Sequence, residues 1–139
     1  MIQRMTHASV YVIDQARAED FYVNKLGMEL KMKVPLGEGA FWLTLSPRDQ
    51  PEMEITLMPI HNPNMFDPET AASLAKLVEA GTFGFGVFAT QDVFATYQEL
   101  KAKGVEFTKE PKEEFYGIEA MFKDDSGNWF SLTQFKAEG

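Results

Sequence analysis

At 139 residues, with 45% hydrophobic and 24% charged side chains, the chain has the composition of one globular domain able to bury a core, not of a disordered segment. It contains no cysteine, which excludes disulfides, thiolate metal sites and thiol nucleophiles. Lysine and arginine number 13 against 21 acidic residues; the resulting net charge of -8 repels phosphate backbones, argues against nucleic-acid binding, and favours cationic over anionic partners.

Taken in chain order, residues 1–7 lack the apolar stretch of a signal peptide, and no later run reaches the ~20 apolar residues of a membrane span, so a cytoplasmic protein is expected. Residues 7–14 (HASVYVID) read as a strand ending in an aspartate that caps a helix. Ala18, Phe21, Tyr22 and Leu26 recur at helical spacing, and Gly27 stops that helix. Three strands are predicted next, near 28–35, 40–46 and 52–59, separated by turn-forming Gly37, Gly39, Pro47 and Pro51. A connecting segment over 61–82 contains Asp67-Pro68-Glu69, the start of a short amphipathic helix.

The pattern then repeats. Residues 85–92 (FGVFATQD) match 7–14, Asp92 caps a second helix bearing Val93, Ala95, Tyr97 and Leu100, and Gly104 ends it. Strands near 105–110, 115–123 and 128–135 follow. The chain therefore reads as an α+β domain of two βαβββ modules, 1–60 and 83–139, joined by the segment 61–82.

Side chains alternate faces along a strand, so His7, Ser9 and Tyr11 oppose Ala8, Val10 and Val12. Glu54, Thr56 and Met58 likewise oppose Ile55 and Leu57; Phe85, Val87 and Ala89 oppose Gly86 and Phe88; Ser131 and Thr133 oppose Phe130 and Leu132. One face is apolar and suits packing under helices. The other mixes polar, aromatic and sulfur groups, and Trp42, Tyr116 and Trp129 add aromatic surface to it. Such a face fits a concave small-molecule site, or a sheet with one wetted side. Asp124, Asp125 and Asn128 read as a hairpin turn, residues 109–114 as a solvated charge run, and His61 as a loop residue.

Several stretches resemble the glyoxalase / bleomycin-resistance / extradiol-dioxygenase (vicinal oxygen chelate) superfamily. Val12-Ile13-Asp14 through Phe21-Tyr22, and then Leu26-Gly27-Met28-Glu29-Leu30, are similar to its first-module signature. Residues 122–132 (FKDDSGNWFSL) resemble its closing Asp-Pro-Asp-Gly-Asn-x-x-Glu-Leu motif. The resemblance implies an open curled sheet around a cup, a homodimer, and, in metal-dependent members, one divalent ion (Zn, Ni, Mn or Fe) held from the first and last strand of each module. Carried over by position, those places are His7, Glu54, Phe85 and Ser131. Phenylalanine cannot bind a metal and a serine hydroxyl is a poor substitute for a carboxylate, so the implied metal site is degenerate.

Three readings of the His7–Glu54 pair stay open at this level: metal ligands, an acid–base pair, or a hydrogen-bonded pair lining a pocket. They correspond to a metal-dependent lyase or isomerase of the glyoxalase type with His7 and Glu54 catalytic, a metal-free enzyme or sensor, and a metal-free protein sequestering a cationic aromatic compound. Ser9, Tyr11, Trp42, Thr56, Phe85, Tyr116, Trp129 and Ser131 are the expected ligand-binding residues.

Overall fold

The computed structural model describes residues 1–137. The first module comprises β1 (His7–Val12), α1 (Gln15–Asp20), β2 (Glu29–Gly37), β3 (Ala40–Ser46) and β4 (Glu54–Pro59). After α2 (Pro68–Glu79), the second module repeats the order as β5 (Gly84–Ala89), α3 (Val93–Ala102), β6 (Glu106–Glu114), β7 (Gly117–Lys123) and β8 (Trp129–Phe135). Each module is a four-stranded mixed sheet, ordered β1-β4-β3-β2 and β5-β8-β7-β6. The first strand of each pairs in parallel with the last, and the other pairings are antiparallel.

The helix starts follow from the aspartates. Asp14, Asp67 and Asp92 each accept a backbone N–H three residues on, from Arg17, Thr70 and Ala95 at 3.0, 2.8 and 3.0 Å. The helix stops follow from Gly27 and Gly104, whose φ values of 75° and 90° lie in the left-handed region that ends a helix. Between cap and stop the first module spans 13 positions (27 minus 14) and the second 12 (104 minus 92). The extra residue is absorbed by Phe21–Lys25, which winds as a π-helical turn at the end of α1. An insertion that would otherwise rotate Phe21 and Tyr22 off the core is thus accommodated locally, and both side chains stay buried.

One apolar core joins the modules. Val10, Val12, Leu43, Leu45, Ile55 and Leu57 from the first sheet share it with Ala120, Phe122, Phe130 and Leu132 from the second, together with Ala18, Tyr22, Val93 and Leu100 from the helices. The Tyr22 ring meets Phe130 edge-on at 6.3 Å. A smaller cluster of Ile60, Ala71, Ala75 and Val78 anchors α2, with Tyr11, Phe66 and Phe83 packed against it.

The turn between β7 and β8 ties the modules together. Asp124 Oδ1 accepts the backbone N–H groups of Ser126, Gly127 and Asn128, each at 2.9 Å. Its Oδ2 accepts from the Tyr22 hydroxyl at 2.7 Å and from Asn128 Nδ2 at 3.1 Å. Asn128 Nδ2 also donates to the Tyr11 carbonyl, and Ile13 N donates to Ser126 Oγ. Arg17 reaches Asp125 at 3.1 Å; burial, with the neighbouring Asp124 charge, still pushes Asp125 up to about 6. The aspartate-rich segment is therefore a hairpin turn, as expected, and also the polar clasp between the two modules.

Candidate functional site

Pairing register decides which side chains share the uncovered face. In the first module His7 is the cross-strand partner of Glu54, Ser9 of Thr56, Thr56 of Thr44, Thr44 of Met32, and Trp42 of Val34. All stand opposite Val10, Leu43, Ile55 and Leu57, which face the core. The result is an open sheet face. Met32 and Val34 are 48% and 46% exposed along its edge. The more enclosed hollows lie elsewhere: one of ≈ 230 Å³ beside Asp14, Lys33 and His61, and one of ≈ 320 Å³ between Met28, Arg48, Phe88 and Lys103.

His7 and Glu54 converge on this face. His7 Nε2 lies 3.2 Å from Glu54 Oε2, and Thr44 Oγ1 donates to Glu54 Oε1 at 2.7 Å. His7 Nδ1 lies 2.8 Å from the Thr6 hydroxyl. Each imidazole nitrogen and each carboxylate oxygen thus has one partner within the chain, on side chains that are 37% and 27% exposed. The Trp42 ring sits beside the pair, 6.2 Å from the imidazole and tilted by 46°.

The second module puts something different at the equivalent place. There the cross-strand pairs run Gly84–Trp129, Gly86–Phe130 and Val87–Ser131, with an irregularity at Phe85. Since Phe130 matches Ile55 in its pairing with β7, the counterpart of His7–Glu54 is Gly84–Trp129, and the counterpart of Thr56 is Ser131. This corrects the positional reading in which Phe85 and Ser131 mirror His7 and Glu54. The indole lies flat over Gly84: a Cβ built there would come within 2.2 Å of Trp129 Cζ2. Gly84→Ala is expected to push Trp129 outward, cost about 1–3 kcal/mol as overpacking does, and red-shift the tryptophan emission; an unchanged spectrum and melting point would show that the indole is not so confined.

Among the described residues no group of three histidine, cysteine, aspartate or glutamate side chains could hold a metal ion. His7 and Glu54 supply two donors, where catalytic sites need about three. The residues present do not fit the divalent ion that the resemblance implies, and no step is routed through one.

The remaining expected ligand contacts divide. Ser9 is exposed and Phe85 is 37% exposed; both line a narrow cleft of ≈ 160 Å³ where β1 approaches β5. Trp42, Tyr116 and Trp129 are half-buried on the open face. Thr56 and Ser131 are only 1% and 4% exposed, so they lie beneath the surface and do not meet solvent. Tyr11 turns into the linker cluster, edge-on to Phe66 at 5.9 Å, so the 61–82 segment covers it.

One residue escaped sequence reasoning. Glu119 on β7 is buried, and its Oε1 accepts from Lys109 at 2.8 Å and from the Tyr116 hydroxyl at 2.5 Å. Its Oε2 accepts from Ser131 Oγ at 2.5 Å. Burial alone would raise the acid, but the bonds from Lys109, Ser131 and Tyr116 prevail and hold it at about 2. The same contacts, with a 3.0 Å bond to Glu114, push Lys109 up to about 12. Both modules therefore carry a carboxylate bonded to a neighbouring hydroxyl, with the strands exchanged: Glu54 on β4 with Thr44 on β3, and Glu119 on β7 with Ser131 on β8.

The comparisons agree with this architecture. The sequence profile of the Glyoxalase/Bleomycin resistance protein/Dioxygenase superfamily matches residues 4–132. The chain belongs to that superfamily. The solved structure of UcmS2 is 42% identical, covers 96% of this chain and 98% of its own, and superposes with a TM-score of 0.90. That of TnmS3, an antibiotic binding protein from Streptomyces sp. CB03234, is 30% identical over 97% of this chain and 98% of its own, at a TM-score of 0.75. Among curated proteins, YurT of Bacillus subtilis (strain 168) is 35% identical over 127 residues, 91% of this chain and 94% of that one. Among the described residues no helix is long and apolar enough to cross a membrane.

Proposed function

We propose that this superfamily member is a binding protein that holds an aromatic, cationic small molecule against its open sheet face without a metal ion. The observation that carries the reading is that His7 and Glu54 bond to each other and to neighbouring threonines, with a tryptophan over a glycine at the matching position of the second module. A metal-dependent lyase or isomerase would need those donors free and a third beside them. A binder needs flat aromatic surface and a compatible field. Trp42 and Trp129 supply the first, and the net charge of -8 supplies the second. The similarity to an antibiotic binding protein points the same way.

The reading includes a homodimer. A sheet face edged by half-exposed Met32 and Val34 buries little of a ligand by itself, and an exposed apolar edge of this kind is normally covered by a partner. A second copy laid over the first would close it.

Titration of the full chain with 9-aminoacridine and an anthracycline, followed by quenching of Trp42 and Trp129, tests the reading. Saturable binding that is indifferent to EDTA, and weakened at least about tenfold by Trp42→Ala, is expected, a loss of the size seen when an aromatic anchor is truncated. Binding that appears only after a divalent metal is added would refute it.

A further inference from the structure

We infer that Lys109 and Tyr116 form a polar subsite on the open face of the second module, one that takes a neutral hydroxyl group of the bound molecule; this rests on the binding function proposed above. The cluster lies on the open face. Lys109 pairs with Met121, Met121 with Ser131, and Glu119 with Thr133, all opposite the core residues Ala120, Phe122, Phe130 and Leu132.

Its protons run one way. The Ser131 hydroxyl donates to Glu119 and lies 2.7 Å from Thr133 Oγ1, so Thr133 donates to Ser131. Tyr116 and Lys109 also donate to Glu119, and Lys109 spends a second proton on Glu114. An ammonium has three protons, and a phenol oxygen keeps its lone pairs after donating. What the cluster still offers is one N–H of Lys109 and the acceptor oxygen of Tyr116, on side chains that water reaches: that of Lys109 is 24% exposed.

Charge then selects the guest. One cation stands against two carboxylates, so the cluster is net negative and repels an anionic group. An ammonium finds Glu119 already bonded by three donors and meets the lysine charge in front of it. A hydroxyl fits both open valences, accepting from Lys109 and donating to Tyr116. A methyl ether can do only the first.

Isothermal titration of the full chain with 2-naphthol, 2-methoxynaphthalene and 2-naphthoate tests this. The naphthol is expected to bind roughly fivefold to tenfold tighter than the ether, as one net hydrogen bond allows, and the naphthoate weakest. Tyr116→Phe should bring naphthol and ether within about twofold of one another while leaving the ether's own affinity in place, and Lys109→Met should weaken both by a similar factor and keep the naphthol ahead. Melting curves confirm that the variants fold; should Lys109→Met not fold, Tyr116→Phe, which deletes only the hydroxyl, decides alone. Equal affinities in the unaltered protein, tightest binding by naphthoate, a preference surviving Tyr116→Phe, or absence of binding by all three would overturn the subsite. The binding function falls separately, if the cationic probes named above also fail to bind.

Discussion

Asp124→Ala is expected to lower the unfolding free energy by about 4 kcal/mol or more, enough to abolish cooperative folding in a domain of ordinary stability. The carboxylate receives five hydrogen bonds, three of them from backbone N–H groups, and is 6% exposed. Truncation leaves buried donors unsatisfied, at roughly 1–3 kcal/mol each, some of which water entering the vacated space recovers. Tyr22 is fully buried, and burial foremost, with the adjoining Asp124 charge, drives its hydroxyl well above the usual phenol range, so it acts only as a donor here. Tyr22→Phe removes one donor and keeps the ring against Phe130; its expected cost is about 1–2 kcal/mol. Urea unfolding followed by far-UV circular dichroism separates the two. Equal, small losses would show that the turn is not the clasp between the modules.

Glu119→Gln is expected to destabilise the fold, and its effect should depend on pH. The folded acid sits at about 2, below its ordinary value of 4.5, so its contribution to stability is complete above about pH 5 and is lost as pH falls toward 2. A shift of that size corresponds to ~3 kcal/mol at full strength; water at the partly exposed Lys109 screens the ion pair, and about 1–2 kcal/mol is the expected loss at pH 7. The unaltered protein should therefore lose stability on acidification from pH 5 to pH 3 faster than Glu119→Gln does. Thermal unfolding across that range checks it: parallel pH profiles for the two proteins would mean that the carboxylate is not held by its neighbours.

The repeated modules were legible because their signals are local. An aspartate before each helix, a glycine after it and alternating strands need no knowledge of the partner module. The convergence of His7 and Glu54 was legible for a related reason: parallel neighbours at the start of their strands, with the same parity, must point the same way. The π-helical turn at Phe21–Lys25 could have been inferred from the one-residue excess between cap and stop, since the flanking strands match.

What stayed hidden depends on pairing across strands. The irregularity at Phe85 shifts the register of β5 against β8, so Ser131 faces Val87 and position-by-position transfer from the first module fails. Residues 109–114 read as a solvated run, yet irregularities on either side of Lys109 turn its ammonium, and the Glu114 carboxylate, toward Glu119. Glu119 itself carried one usable signal: aligned with β3, it takes the place of Trp42 on the open face. Burial was the other blind spot. Parity puts Thr56, Ser131 and Tyr11 on the ligand-facing side, but Thr56 and Ser131 are buried beneath their neighbours and Tyr11 is half-buried against Phe66.

The most direct test of a metal-free binding face is equilibrium dialysis of the purified chain against Zn, Ni, Mn and Fe(II), each followed by elemental analysis. Retention far below one ion per chain is expected for all four, unchanged by His7→Ala or Glu54→Ala. One ion bound per chain or per dimer, and lost in both variants, would make the pair a metal centre and contradict the account.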